Sequence, residues 1–284
     1  MHLYSIETGN AKFDGGAVFG VVPKVMWQKL YPADENNLIN SSIRCLLIVD
    51  DNKKMLIDSG IGDKQDEKFL KNFHLNGTDN LVQSLNCYGF EPDDITDIIL
   101  THLHFDHCGG ITKWNSDKTG FELVFKNANI HVSKGQWYWA NNPNKREIAS
   151  FLTENLQSIS ESGKLHLIEN EGMFSSNIEI RFFNGHTENQ IIPFINYNGK
   201  TIVYSGDFLA SAVHIPLPYI PSYDIRPLIS MQEKENFYNE AIDNEYIIFF
   251  EHDFYNECCT LKQTEKGVRV NETFKLSELT NRYL

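Results

Sequence analysis

The sequence predicts an α/β protein built from layers with mixed sheets, and two observations carry that reading. Short apolar runs of strand length recur along the chain, and helical patterns follow them in each half. With 284 residues and no internal repeat, low-complexity tract or Pro/Gly/Ser linker, the expectation is one domain over residues 1–284.

Taken in order, strands are expected at His2 to Glu7, Ala17 to Val22, Ile43 to Val49 and Lys54 to Asp58, with Asp50 to Lys53 as a hairpin turn. Residues Pro23 to Ser42, which carry Trp27, Leu30 and Tyr31, read as an irregular loop that covers a site or packs on another subunit. Asn80 to Tyr88 reads as a helix capped by Asp79, with Leu81, Val82, Leu85 and Cys87 facing inward. A strand from Ile95 to Leu100 follows, and Gly135 to Ile159 has a helical pattern. Strands return at Leu165 to Ile168, Ile178 to Phe183, Gln190 to Asn196 and Thr201 to Tyr204. A helix over Met231 to Asn244 would begin with a capping box of Ser230 and Glu233. Tyr246 to Phe250 reads as a short buried strand, and Cys259 to Phe274 as a hairpin turning at Lys266-Gly267.

Composition narrows the function classes. A net charge of −13 disfavours phosphate backbones and anionic membranes as partners. The N-terminus lacks the basic and apolar regions of a signal peptide, and no apolar run is long enough to span a bilayer. Five cysteines without C-x-x-C spacing do not make a disulfide framework, so a cytoplasmic setting is the expectation.

The chemistry concentrates in Thr101-His102-Leu103-His104-Phe105-Asp106-His107-Cys108-Gly109-Gly110, an H-x-H-x-D-H run directly after an apolar strand. In an extended segment residues i and i+2 point the same way, so His102 and His104 can hold one ion. Asp106 and His107 come where the chain turns and can face a second ion, with Gly109 and Gly110 permitting the turn. Three further ligand-type residues stand just past apolar strands: His186 in Gly185-His186-Thr187, Asp207 in Gly206-Asp207, and His252 in Glu251-His252-Asp253. Asp58 has the same placement after Leu56-Ile57. His2, His74, His131 and His166 have no such context. Cys108 reads as a small buried packing residue rather than a nucleophile, and Cys258 and Cys259 receive no role.

These motifs, in this order, resemble the metallo-β-lactamase fold superfamily over nearly the whole chain. The resemblance implies a four-layer αββα sandwich and a dinuclear centre. His102, His104 and His186 would hold one ion, Asp106, His107 and His252 the other, and Asp207 would bridge them. Asp58 would orient the ligand loop through hydrogen bonds. The ions would be zinc, with iron or manganese also suited to these ligands. They would share a hydroxide able to attack a carbonyl or phosphoryl centre, with Asp106 passing a proton to the leaving group.

Within that superfamily, Asp207 argues against true β-lactamases, and His104 stands where flavodiiron oxygen reductases carry Glu. The large extra domain and basic surface of the nucleic-acid-processing branches are missing. A glyoxalase II-like thioesterase would share the seven ligands, but the C-terminal hairpin pattern differs from its helical region. The G-H-T motif also continues Glu188-Asn189-Gln190 where many relatives have Pro-Gly-His. The chain looks most like the branch of N-acyl-homoserine lactone hydrolases and methyl-parathion-type hydrolases, in which the early loop often serves in dimer contacts; a homodimer is one expected assembly. Trp27, Phe208, Leu217, Tyr219 and Tyr223 suit an apolar lactone or ester, and His214 is a candidate pocket residue. Tyr219 or Tyr223 would either polarise a carbonyl or form an aromatic wall. The expected activity is opening of a lactone or ester. The alternatives are a phosphotriester hydrolase, a thioesterase, or a metal-loaded binding protein without turnover.

Overall fold

The computed structural model describes residues 1–279. The first strands are β1 (His2–Asp14), β2 (Leu38–Asp50), β3 (Lys53–Ile57) and β4 (Asp97–Ile99). A small ribbon of β5 (Thr112–Trp114) and β6 (Phe121–Leu123) precedes β7 (Asn129–Ser133) and β8 (Leu165–Ile168). Apart from the ribbon, these make a six-stranded sheet in the order β1-β2-β3-β4-β7-β8. The later strands are β9 (Gly172–Met173), β10 (Ile178–Phe183), β11 (Gln190–Tyr197), β12 (Lys200–Tyr204), β13 (Ile247–Phe249), β14 (Cys258–Thr264) and β15 (Gly267–Phe274). They make a seven-stranded sheet in the order β15-β14-β13-β12-β11-β10-β9. Both sheets are mixed: β3 runs parallel to β4 and β12 parallel to β13, while hairpin neighbours such as β14 and β15 are antiparallel.

The chain divides into two compact units, neither continuous in sequence. The first comprises Met1–Gly9, Ile43–Asn170 and Asn189–Ile191; the second comprises Asn10–Ser42, Glu171–Glu188 and the chain from Ile192 onward. In the first unit, Leu47, Leu56, Ile98, Leu100 and Ile130 bury one sheet face against Leu81 and Leu85 of helix Leu81–Cys87 and Leu156 and Ile159 of helix Thr153–Glu161. In the second, Ile192, Phe194, Val203 and Ile248 pack with Phe237, Tyr238 and Ala241 of helix Pro227–Asp243. Each fully buried side chain of this kind contributes roughly 1.5–3 kcal/mol of transfer free energy. A smaller cluster in the second unit gathers Val18, Phe19, Val22, Trp27, Tyr31 and Ile39.

Several elements differ from the sequence expectation for identifiable reasons. Residues 17–22 were expected to be a strand, but β1 runs on to Asp14, whose carboxylate caps helix Gly15–Phe19 by accepting from the Ala17 amide. The loop expected over 23–42 contains a short helix, Lys24–Trp27, and gives its last residues to β2. Asn80, rather than Asp79, caps helix Leu81–Cys87 through the Gln83 amide. The long helical stretch is two helices, Lys134–Asn141 and Thr153–Glu161, because Pro143 disfavours the helical conformation in the residue before it. Helix Pro227–Asp243 starts a turn early with Pro227 in its first turn, which frees Ser230 and Glu233 from the expected capping box. The C-terminal hairpin turns where expected. Among the described residues no helix is long and apolar enough to cross a membrane.

Candidate metal centre

In the first unit the ligand run begins where a parallel ladder ends. Register pairs Leu56 with Ile98 and Ile57 with Ile99, and the Asp58 amide adds one further bond to the Ile99 carbonyl at 3.0 Å. Asp58 is fully buried and left-handed at φ 59°, a conformation Asp tolerates better than most residues. That geometry turns its carboxylate onto the next strand end. Oδ1 accepts from the Thr101 amide at 2.7 Å, and Oδ2 accepts from Thr101 Oγ1 at 2.6 Å and from His107 Nδ1 at 3.0 Å. Since the Thr101 hydroxyl donates to Asp58, its oxygen accepts from His102 Nδ1 at 3.0 Å. His104 Nε2 donates to Glu147 Oε1 at 3.3 Å. Glu147 is itself buried and receives Trp139 Nε1 and Asn144 Nδ2 on its other oxygen. The break between the two middle helices therefore brings a carboxylate to His104.

The turn after His107 is equally constrained. Ser59 donates both its amide and its hydroxyl to the His107 carbonyl, at 2.7 and 3.0 Å. A Cβ on Gly109 would lie 1.9 Å from the Ile61 carbonyl oxygen, and one on Gly110 2.0 Å from that of Ser59. Only glycine admits this approach. The buried Lys64 ammonium donates to the Gly109 carbonyl. Cys108 is fully buried, with burial pushing its thiol up to about 12, so it stays a neutral packing group.

The second unit repeats the device. The parallel pair β12 and β13 matches Val203 with Ile248 and Tyr204 with Phe249, and the Ser205 amide extends the ladder to the Phe249 carbonyl at 3.0 Å. Asp207 and His252 follow those two strand ends, and His186 follows β10. Asp207 Oδ2 lies 3.1 Å from His186 Nε2 and Oδ1 2.9 Å from His252 Nε2, so one carboxylate meets two imidazoles. The far nitrogens are held: His186 Nδ1 donates to Asp224 Oδ1 at 2.9 Å, and His252 Nδ1 donates to the Ser42 carbonyl at 3.0 Å. Asp224 is fixed by Ser230 Oγ at 2.6 Å. Glu233 accepts from the Asn184 and Gly185 amides at 2.6 and 3.1 Å, and Arg226 pairs with Glu188 at 2.6 Å, clamping the His186 loop.

All five imidazoles therefore spend one nitrogen on an outer acceptor, which leaves the other as a lone pair. His102 Nε2 and His104 Nδ1 then face each other at 3.0 Å, and His186 and His252 present lone pairs to Asp207. Lone pair against lone pair is repulsive without a cation between. The donor set of neutral imidazoles and carboxylates fits zinc, and equally iron or manganese. Such ions would lower the pKa of a bound water and polarise a substrate oxygen.

Of the residues expected to line a pocket, Phe208 is buried in the core against Phe183 and Phe237, because the short 3₁₀ turn Gly206–Phe208 carries it inward. Tyr223 stands edge-on to His186 with ring centroids 5.8 Å apart. Tyr219 meets Phe19 edge-on, and Leu217 packs against the core of the second unit. His214 is buried, stacked on Phe19 at 5.0 Å, with Nε2 donating to the Val18 carbonyl and Nδ1 2.8 Å from Ser211 Oγ. Thr101, Glu147, Asp224, Ser230 and Glu233 hold the site without having been singled out for that role in the sequence. Only Thr101, beside the histidine run, carried a local signal.

Burial lowers the pKa of His214 to about 4 from an unfolded value of about 6.5. Between those values the unfolded chain binds more protons, so the stability contributed by neutral His214 is complete above about pH 6.5 and is lost as pH falls through about 4. The window is worth on the order of 3 kcal/mol. His214→Phe, which keeps the stack on Phe19, should lose roughly 2 kcal/mol less than wild type between pH 7 and pH 5 in urea unfolding. Equal acid losses would contradict this.

Fold and donor groups together define a two-sheet α/β protein whose buried histidines and aspartates are of the metal-binding kind. The chain belongs to the metallo-β-lactamase superfamily. The family model for that superfamily matches residues 40–119. The structure of a probable metal-dependent hydrolase from Staphylococcus aureus superposes with a TM-score of 0.88 at 31% identity, covering 96% of each chain. The dizinc quorum-quenching lactonase AidC, solved with a product N-acyl-homoserine, shares the fold with a TM-score of 0.79 at 24% identity over 96% of this chain and 95% of its own. The N-acyl homoserine lactonase of Bacillus thuringiensis is 32% identical over 118 residues, which are 38% of this chain and 43% of that lactonase. The chain thus spans less than half the length of the curated relatives it matches. The mixed α/β class read from the sequence is the one found.

Proposed function

We propose that the protein is a dinuclear metal-dependent hydrolase that opens lactones or related esters, acting as a single domain. His102, His104 and His186 would hold one ion and Asp106, His107 and His252 the other, with Asp207 shared. The observation that carries the reading is the Asp207 carboxylate, whose two oxygens lie 3.1 and 2.9 Å from two different imidazoles, as a bridging ligand requires. The lactonase names among the relatives support the substrate class, and N-acyl-homoserine lactones are the first substrates to try.

The chain's own groups have defined tasks in such a reaction. Asp58, Glu147 and Asp224 hold imidazoles in the tautomer that offers a lone pair inward. Asp106, partly exposed, would carry a proton to the leaving alkoxide. Tyr223, against His186, would orient the substrate carbonyl.

The test is elemental analysis of protein purified without chelator, with lactone hydrolysis followed on the same sample. About two ions per chain with turnover is the expected result. Two ions without lactone turnover would move the reaction to phosphotriesters or thioesters. Fewer than one ion after reconstitution would refute the ligand assignment.

A further inference from the structure

Lys234 lies in the middle of helix Pro227–Asp243 and is only 1% exposed. The Asp224 carboxylate favours its charge without a hydrogen bond to it. Instead the ammonium donates to three backbone carbonyls of one loop: His214 at 2.5 Å, Pro216 at 3.1 Å and Tyr219 at 3.2 Å. Tyr238, one turn along the same helix, donates to the Ile215 carbonyl of that loop at 2.6 Å. A lysine is a compact cation with three donors, which suits a ring of carbonyls as a metal ion would. Keeping it there costs desolvation, and burial pulls its pKa down to about 7.

The loop so gathered runs from Asp207 to Asp224, the residue that fixes His186. Its outer side carries His214 and Tyr219 against Phe19, and Gly20 approaches so closely that a Cβ there would lie 2.2 Å from the Ile220 carbonyl oxygen. Its other side, with Ile215, Leu217 and Pro218, borders a cavity of about 820 Å³ that also touches Met231, Tyr238 and Val268. Without the ammonium, the loop would have three inward carbonyls to satisfy and open space to move into.

We propose that Lys234 is a positioning residue for substrate binding, templating the His214–Tyr219 turn and so setting Tyr223, whose ring stands against His186, where a substrate meets it. This rests on the lactone or ester hydrolase reading for its kinetic consequence, though the template itself does not.

Two variants test it, Lys234→Met, which keeps the length and loses the charge, and Lys234→Arg, which keeps the charge. Hydrogen exchange should quicken in residues 211–224 of Lys234→Met, with the rest of the second unit unchanged. KM for a lactone should rise roughly tenfold while kcat and metal content stay within about twofold, the signature of lost binding rather than lost chemistry. Lys234→Arg should keep KM within about threefold of wild type. Unchanged exchange in that loop, or faster exchange throughout the second unit, would overturn the template. Quickened exchange with unchanged KM would overturn the positioning role. If wild type turns over no lactone, the function proposal fails, and the exchange result still decides whether Lys234 holds the loop.

Discussion

Asp207→Ala should lower metal content from about two ions per chain to one or fewer and reduce kcat/KM by at least about 10³-fold, since a metal site supplies several kcal/mol of transition-state stabilisation. The carboxylate touches both His186 and His252. Its loss leaves the three-residue ligand group of the second unit as two separated imidazoles. Asp207→Asn keeps a single anionless oxygen ligand and should fall between alanine and wild type. Circular dichroism should be unchanged in both. Wild-type metal content in Asp207→Ala would remove the argument for a shared ligand.

Asp58→Asn should weaken metal affinity by about 10–100-fold, the usual cost of losing an outer-sphere partner, while leaving the fold intact. Asparagine is at home in the left-handed conformation found at φ 59°, so the backbone loses nothing. The side chain has no such tolerance. One oxygen can still serve the Thr101 amide, but the amide nitrogen would then face the Thr101 hydroxyl and His107 Nδ1, both donors toward Asp58. His107 loses the contact that fixes its tautomer, and Thr101 loses the one that makes it an acceptor for His102. Chelator competition measures the loss. A variant that holds metal as tightly as wild type would show that charge at position 58 does not organise the ligand run. Asp58→Ala is the poorer probe, because it adds backbone strain at the same position.

The ligand-type residues were legible because each follows an apolar strand directly, and H-x-H-x-D-H concentrates four of them within six positions. Their outer partners were not. Glu147, Asp224 and Glu233 reach groups 43, 38 and 49 residues away in sequence, and nothing local marks a carboxylate with so distant a partner. The Ser230 and Glu233 pair shows the hazard from the other side: a sound capping pattern is spent on Asp224 and on the His186 loop. Residues 17–22 have strand composition, yet Asp14 caps a helix there, because a single side-chain acceptor outweighs weak β-propensity. Phe208 was apolar and adjacent to a ligand, and adjacency in sequence says nothing about which way a tight turn sends its side chain.

In each unit a parallel strand pair is extended by one ladder bond just before the site residues: β3 and β4 lead to Asp58 and the histidine run, and β12 and β13 lead to Asp207 and His252. A slip of one residue would reverse every side chain on a strand, so within each unit the register that buries Ile98 or Ile248 also decides which way the residues after that strand face. If the proposed ions bind there, each would act as a rivet on that register, and loading and folding would become two views of a single equilibrium. At a thousandfold excess over Kd such coupling adds about 4 kcal/mol, comparable with the whole stability margin of many domains. Scarcity of metal would then shorten the life of the chain itself, with proteolysis of the unriveted form as its outward sign.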